Sequence, residues 1–110
     1  MNLTGKHCIH GAPALDATAI AALLPQVPGW EIENGRLQRS FELRDYHETI
    51  EFVNALAFMV HAQDHHPELK VSYRHCDVAW TTHSAGNAVS ENDFICAARA
   101  NAIYAQRAGA

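Results

Sequence analysis

Apolar residues recur at helical spacing in three stretches of the chain, and each stretch predicts an amphipathic helix. The three stripes are Ile20, Leu23 and Leu24; Phe52, Val53, Leu56, Met59 and Val60; and Phe94, Ile95, Ala98, Ala102 and Ile103. Asp16 can cap the first helix. Two polar pairs with the spacing of a capping box, Asp45 with Glu48 and Ser90 with Asp93, predict where the second and third helices begin.

Between the predicted helices, apolar and polar residues alternate with the period of β-strands. The alternating residues are Trp30, Ile32, Leu37, Phe41 and Leu43 in the first stretch, and Val71, Tyr73, Val78 and Trp80 in the second. Asn34-Gly35 interrupts the first stretch and suits a two-residue type I′ turn, whereas Arg39 is out of pattern. The second stretch turns near residues 75–77. Each stretch therefore predicts a β-hairpin.

The predicted order is helix–hairpin–helix–hairpin–helix. Four short antiparallel strands need cover on one face, which three amphipathic helices can give, so the predicted class is α+β with the helices on one face of the sheet. The other face or the edge strands stay open, and self-association would cover them. Gly5, Gly11 and Pro13 predict a flexible N-terminal arm over residues 1–14, followed by one domain over residues 15–110.

Composition narrows the classes of function. The chain has 110 residues and a formal charge of −4, which gives no electrostatic footprint for direct nucleic-acid binding. Its apolar runs are too short to span a bilayer, and its start lacks the apolar region of a secretory signal, so we expect a cytoplasmic protein. Cys8, Cys76 and Cys96 form no CxxC pair and are predicted to be reduced thiols.

Three of the eight histidines are predicted to lie around one turn, in the stretch DHHPELKVSYRHCDVAWTTH. Pro67 ends the preceding helix before His66, and the second hairpin returns His83 toward His65 and His66. An imidazole exchanges protons near neutral pH, so a pocket lined by these three residues suits general acid–base catalysis.

Two other interpretations of the histidines remain open. His61 and His65 are four residues apart, as zinc ligands on a helix can be, but no glutamate follows His61 and the signal for a metal is weak. Ordinary surface histidines are the other interpretation, and we favour it for His7, His10, His47 and His75.

The same stretch resembles the signature of the pterin-4a-carbinolamine dehydratases. That signature is a polar residue, three residues, His-His-Pro, an aromatic residue, a histidine and an aspartate. The matching positions are His61, His65-His66-Pro67, Tyr73, His83 and Asp93, with five, nine and nine residues between the last four parts. The resemblance extends upstream through Gly29-Trp30 and covers roughly residues 16–107.

The resemblance implies an enzyme that dehydrates 4a-hydroxytetrahydropterin to quinonoid dihydropterin during tetrahydropterin recycling. It implies no metal and no other cofactor, and it implies a homodimer or homotetramer. By analogy, His65 and His83 are the acid–base pair, and His66 with Pro67 binds substrate. Asp93 and Trp30 are further predicted contacts of the substrate site, and His61 and Tyr73 are predicted supporting residues.

The chain also departs from the family pattern. His61 stands where many members have glutamate, and Leu69 replaces a common tryptophan. Some relatives in this family act through protein contacts, so the alternative prediction is a non-catalytic cofactor for dimerisation, transcription or assembly with a protein partner.

Overall fold

The computed structural model describes residues 2–107; Met1 of the predicted arm and residues 108–110 of the predicted domain lie outside that range. Its elements are α1 (Ala17–Leu23), β1 (Glu31–Glu33), β2 (Arg36–Glu42), α2 (Tyr46–Gln63), β3 (Glu68–Val71), β4 (His75–Trp80) and α3 (Glu91–Ala105), with short 3-10 turns at Leu3–Gly5, Leu24–Gln26 and His83–Ala85. The predicted α+β class and element order are confirmed. No helix within residues 2–107 is both long and apolar enough to cross a membrane.

The four strands form one antiparallel sheet in the order β1-β2-β4-β3. Asn34 and Gly35 both have positive φ, at 54° and 74°, so the first hairpin turns at the dipeptide that the sequence indicates. On β4, Cys76, Val78 and Trp80 are buried and alternate with residues on the open face. The alternation follows from the strand period of two, which places every second side chain in the core.

The core lies between this buried sheet face and the two long helices. Phe41 of β2 contacts Phe52 of α2 and Tyr104 of α3, with ring centroids 4.7 and 4.9 Å away. Arg39, the residue out of pattern, lies on the same side of β2. Its guanidinium lies 4.3 Å from the Phe41 ring centroid and donates to Asn101 Oδ1 at 2.7 Å, so a core-facing arginine is paired rather than stranded.

The other sheet face is polar. Side-chain pairs cross it from strand to strand: Gln38 with Glu33, Arg36 with Glu68, and Ser40 with Asp77, at 2.6–2.7 Å. This face does not need an apolar cover. Edge strand β3 exposes Leu69 and Val71 instead, by 38% and 43%, so the predicted self-association has an apolar edge to use and remains a prediction.

The second hairpin turns earlier than the sequence indicates. Its turn lies at residues 72–74, so Tyr73 is in the turn and 69% exposed rather than on a strand, and His75 already belongs to β4. The Ser72 amide donates to His75 O at 2.9 Å and closes the turn. The alternating pattern therefore extends to Tyr73, two residues beyond Val71, where β3 ends.

The N-terminal arm packs against the domain, which differs from the loose arm that its glycines and proline predict. Leu3 is buried in the core, and the Arg99 guanidinium donates to Lys6 O. Asn92 pairs with both backbone groups of Ile9, at 3.0 and 2.8 Å. Polar side chains of the helices satisfy the backbone of the arm, and apolar periodicity does not report contacts of this kind.

Candidate active site

His65, His66 and His83 line one cavity of about 470 Å³. The end of α2 supplies His65 and His66, the 3-10 turn after β4 supplies His83, and residues 8–11 of the arm form a further wall. The three imidazoles predicted to converge do so, although they are separated along the chain. A cavity of this volume lies in the range of ordinary small-molecule sites.

The backbone after α2 turns sharply and delivers His65 to the cavity. Asp64 has a left-handed conformation with φ of 51°, and its amide donates back to His61 O at 3.3 Å. The His65 amide donates to Val60 O at 3.4 Å. A left-handed residue of this kind ends many helices, and here it redirects the chain before Pro67.

His65 is paired with a buried carboxylate. Its Nε2 lies 2.6 Å from Asp93 Oδ1, and Asp93 is fully buried. The other carboxylate oxygen, Oδ2, accepts from Thr82 Oγ1 and from the Ser90 amide, each at 2.8 Å. Asp93 therefore caps α3 and holds His65 at the same time.

The His65 ring also lies flat against an aromatic side chain. Its centroid is 5.4 Å from that of Trp80, and the planes differ by 9°. Trp80 is completely buried on β4, so the imidazole has a rigid wall on one face and Asp93 at one edge. The ring orientation is thereby set before any ligand arrives, and Nδ1 is the ring nitrogen that is not bonded to Asp93.

The environment of His65 raises its pKa above the ordinary value. Burial alone would lower the pKa, because it disfavours the charged imidazolium. The hydrogen bond to Asp93, the charge of Asp93 and the nearby Cys8 outweigh burial. A larger fraction of His65 is therefore protonated at neutral pH than in a free histidine, which is the state that a proton donor needs.

His66 and His83 are held less firmly. Both are exposed, and the His83 ring has one side-chain partner, with Nδ1 3.1 Å from Asn87 Oδ1. The chain around His83 is fixed by its backbone: the amide of Thr82 donates to Ala88 O at 2.9 Å, and Gly86 adopts φ of 73°. The turn is ordered, whereas its imidazole lies at the solvent boundary.

Besides Asp93, which is buried behind His65, four predicted site residues lie outside the cavity lining. Trp30 is buried and donates from Nε1 to Asn101 Oδ1 at 2.7 Å. Tyr73 lies in the β3–β4 turn beside Tyr46, with centroids 5.9 Å apart. His61 is exposed on the last turn of α2, and Pro67 lies just beyond His66. Their roles stay predictions, and none of the four lines the cavity that the three histidines share.

Several neighbours of the histidines were not predicted from the sequence. Thr82 and Ser90 complete the hydrogen bonds around Asp93, and Gln63 lines the cavity while accepting from the Cys8 amide at 2.9 Å. The only sequence signal for any of them is the capping pair of Ser90 and Asp93. Within residues 2–107, no group of three or more His, Cys, Asp or Glu side chains is arranged to hold a metal ion.

Residues 13–103 match the family model described as Pterin 4 alpha carbinolamine dehydratase. The chain belongs to this dehydratase family. Relatives from Xylella fastidiosa (strain 9a5c) and Stenotrophomonas maltophilia (strain K279a) are 50% and 49% identical over 94 residues, which span 84% of this chain and 80% of each relative. Both carry the name "Putative pterin-4-alpha-carbinolamine dehydratase".

Solved structures of the dehydratase family share the fold. The transcriptional coactivator/pterin dehydratase from Brucella melitensis superposes with a TM-score of 0.78 at 33% identity, over 83% of this chain and 98% of that one. A pterin dehydratase-like protein identified as a RuBisCO assembly factor of the alpha-carboxysome has a TM-score of 0.59 at 19% identity, over 71% and 89%. The second likeness concerns the fold alone.

The residues that line the cavity fall into two groups, one inside and one outside the part of the chain that matches the family model. All seven residues of the signature fall within residues 13–103, whereas residues 8–11 of the arm precede the matched region. The matched region therefore contains the three histidines, and the part of the cavity wall formed by residues 8–11 lies outside it.

Proposed function

We propose that the chain dehydrates 4a-hydroxytetrahydropterins, releasing water and forming quinonoid dihydropterin. The observation that carries this proposal is the convergence of three imidazoles on one cavity, with one of them hydrogen-bonded to a buried carboxylate. Membership of the dehydratase family supports the class of substrate.

In the proposed reaction His65 is the general acid. Hydroxide is a poor leaving group, so the hydroxyl on C4a must gain a proton as its bond to C4a breaks. The raised pKa of His65 increases the fraction of its imidazole that is protonated, and Nδ1, on the edge away from Asp93, would donate that proton. Water then leaves with the electron pair of the C4a–O bond. A positioned acid of this kind contributes about 10²–10⁴-fold in rate.

His83 is the proposed general base. As water leaves, the N5 proton must be removed so that its electron pair forms the C4a=N5 double bond. His83 lines the same cavity from a separate turn and is exposed, so it can accept this proton and pass it to solvent. His66, next to His65 at the cavity, is proposed to orient the pterin. We assign no metal or other cofactor to either proton transfer.

Asp93 is proposed as a positioning residue. It is buried behind His65, so contact with the pterin is not required for its effect. Its carboxylate fixes the ring and stabilises the imidazolium, and Thr82 and Ser90 in turn fix the carboxylate. The predicted contribution of Asp93 to the substrate site would then act through His65.

The test supplies freshly generated 4a-hydroxytetrahydropterin and follows the loss of its ultraviolet absorbance. We expect the chain to accelerate this loss above the rate in buffer, and the matched control His75→Ala to keep the acceleration, because His75 is exposed on β4 outside the cavity. A rate equal to that in buffer would refute the proposed activity.

A non-catalytic role through protein contacts is the second candidate. One structural relative is described as a transcriptional coactivator and another as an assembly factor, and this chain exposes large apolar side chains, including Phe58 at 79% and Tyr73 at 69%. Under this alternative, the chain leaves the dehydration rate at its value in buffer and retains a stable partner in a pull-down that Phe58→Ser weakens. Acceleration of dehydration that is unaffected by Phe58→Ser would favour the enzyme.

A further inference from the structure

Two thiols that are far apart in the sequence meet beside the histidine cavity. Cys8 lies in the arm and Cys96 in α3, yet their Sγ atoms are 3.5 Å apart. Cys8 lines the cavity, whereas Cys96 is fully buried behind it. Cys8 precedes the part of the chain matched to the dehydratase family model, and Cys96 lies within it.

The contact is held from several sides. The Cys8 amide donates to Gln63 Oε1 at 2.9 Å, and the neighbouring Ile9 backbone is paired twice with Asn92 of α3. Cys8 Sγ also lies 3.6 Å from Asn92 O. These bonds fix the arm over one turn of α3 and keep Cys8 against Cys96.

The two thiols differ in reactivity. The hydrogen bond from Cys96 lowers the pKa of Cys8, burial opposes this, and the charge of the nearby His65 supports it. The hydrogen bond to Cys8 and burial raise the pKa of Cys96. Because thiolates are the attacking species and Cys8 faces the cavity, Cys8 is the sulfur that meets a reagent first.

We propose that Cys8 and Cys96 form a peroxide-sensitive dithiol that closes to an intramolecular disulfide at the wall of the histidine cavity. The Cys8 thiolate attacks one oxygen of hydrogen peroxide, the O–O bond breaks, and Cys8 becomes a sulfenic acid as hydroxide takes up a proton to leave as water. Cys96 sulfur then attacks Cys8 sulfur, its proton goes to the departing hydroxide, and a second water leaves. Two thiols are oxidised and one peroxide is reduced.

The step needs little movement. A disulfide has an S–S length of about 2.0 Å, so the sulfurs must approach by about 1.5 Å from their reduced separation. The bond would tie the arm, which contributes residues 8–11 to the cavity wall, to α3. This chemistry does not depend on dehydration of a pterin, so the two proposals can fail separately.

Cys76 provides an internal control. It is buried on β4, and burial together with the adjacent Asp77 raises its pKa to about 11. Both properties make it a poor nucleophile. The proposal therefore predicts that one of the three thiols survives oxidation.

The experiment reduces the full chain, removes the reductant and adds hydrogen peroxide under native conditions. We expect the free thiols to fall from three to one, the intact mass to fall by two hydrogens, and a peptide linking Cys8 to Cys96 to appear. Dithiothreitol should restore all three thiols. Retention of three thiols, or a disulfide between two chains in place of the internal one, would overturn the proposal.

Variants identify the order of attack. Cys96→Ala should leave Cys8 as a sulfenic acid that dimedone traps, and Cys8→Ser should slow the loss of Cys96 thiol at least about tenfold because Cys96 is buried. Cys76→Ala should form the link at the wild-type rate. If Cys96 is oxidised equally fast without Cys8, the assigned roles are wrong.

Discussion

His65 and His83 face the same cavity, but the protein holds them differently. The His65 side chain is 11% exposed, stacked on Trp80 and bonded to Asp93, whereas His83 is exposed and has Asn87 as its side-chain partner. One imidazole is fixed in place and has a raised pKa, and the other can rotate and reach water. In the proposed mechanism, the fixed imidazole would be the proton donor and the exposed imidazole the proton acceptor.

This difference has an energetic origin. Fixing His65 requires a buried carboxylate, which is tolerated because three hydrogen bonds satisfy it. His83, by contrast, is exposed and has Asn87 as its side-chain partner. Substitutions of His65 or its buried partners should therefore change both stability and catalysis. Substitutions of the exposed His83 or its partner Asn87 should change catalysis alone.

Removal of the two imidazoles gives the largest expected effect. His65→Ala and His83→Ala should each reduce kcat for dehydration by about 10²–10⁴-fold, because each removes one of the two proposed proton-transfer groups. The exposed His83 variant should unfold at the same temperature as the wild type, and His65→Ala at a lower temperature because it leaves Asp93 with an unused lone pair. Rapid-mixing absorbance and thermal unfolding measure the two quantities.

The variant that lacks both His65 and His83 gives the most direct test of the proposed mechanism. Dehydration at the wild-type rate by a chain that lacks both imidazoles would remove them from the mechanism. His75→Ala serves as the control for loss of a histidine as such, since it is exposed and outside the cavity.

Asp93→Asn should have a smaller effect on rate and a diagnostic effect on pH dependence. The amide keeps the shape but loses the charge that raises the pKa of His65. If His65 must be protonated, activity falls as pH rises through its pKa, and the variant should move this fall to lower pH and lower kcat roughly tenfold. A pH profile of kcat measures both changes, and an unmoved profile would separate Asp93 from proton donation.

The same substitution tests the linkage to stability. Because the folded-state pKa of His65 is raised, its contribution to stability is complete below the unfolded-state pKa of about 6.5 and is lost as pH rises through the folded-state pKa. The decrease in unfolding free energy caused by Asp93→Asn should therefore be larger at about pH 5.5 than at about pH 8.5. Urea denaturation at the two values measures it, and an equal loss at both would contradict the assigned cause.

The fold and part of the site follow from the sequence because they leave periodic or punctuating signals. Asn34-Gly35 marks a turn that both residues confirm with positive φ, and the period-two pattern of Val78 and Trp80 marks a strand with one buried face. Asp93 is readable as a cap from its spacing to Ser90. That its second oxygen would meet His65 depends on the packing of α3 against the end of α2, which spacing does not encode.

The arm shows why the rest could not be predicted. Three polar side chains on two helices hold the arm backbone. Gln63 and Asn92 accept hydrogen bonds from it, and Arg99 donates one to it. Polar residues on a helix usually indicate the side that faces solvent. From the sequence, these three residues are therefore expected to face solvent rather than to contact the arm. The meeting of Cys8 with Cys96 depends on the same side chains.

His66→Ala should affect binding more than turnover. His66 is exposed at the cavity beside His65, and its proposed role is to orient the pterin. Loss of an interaction made equally in the ground state and the transition state raises KM and leaves kcat unchanged. We expect KM to rise roughly tenfold or less, as for loss of a single hydrogen bond. A fall in kcat as large as that for His65→Ala would place His66 in the proton transfers instead.

Asn87→Gly should have the smallest effect and tests the exposed side most directly. The substitution removes the acceptor 3.1 Å from His83 Nδ1, and glycine tolerates the positive φ of 62° that Asn87 adopts, so the turn is expected to keep its shape. An exposed hydrogen bond of this kind contributes on the order of 1 kcal/mol or less, so kcat should change by less than about fivefold. A loss as large as that for His83→Ala would mean that Asn87 orients His83 as Asp93 orients His65, and the contrast between a fixed and a free imidazole would no longer hold.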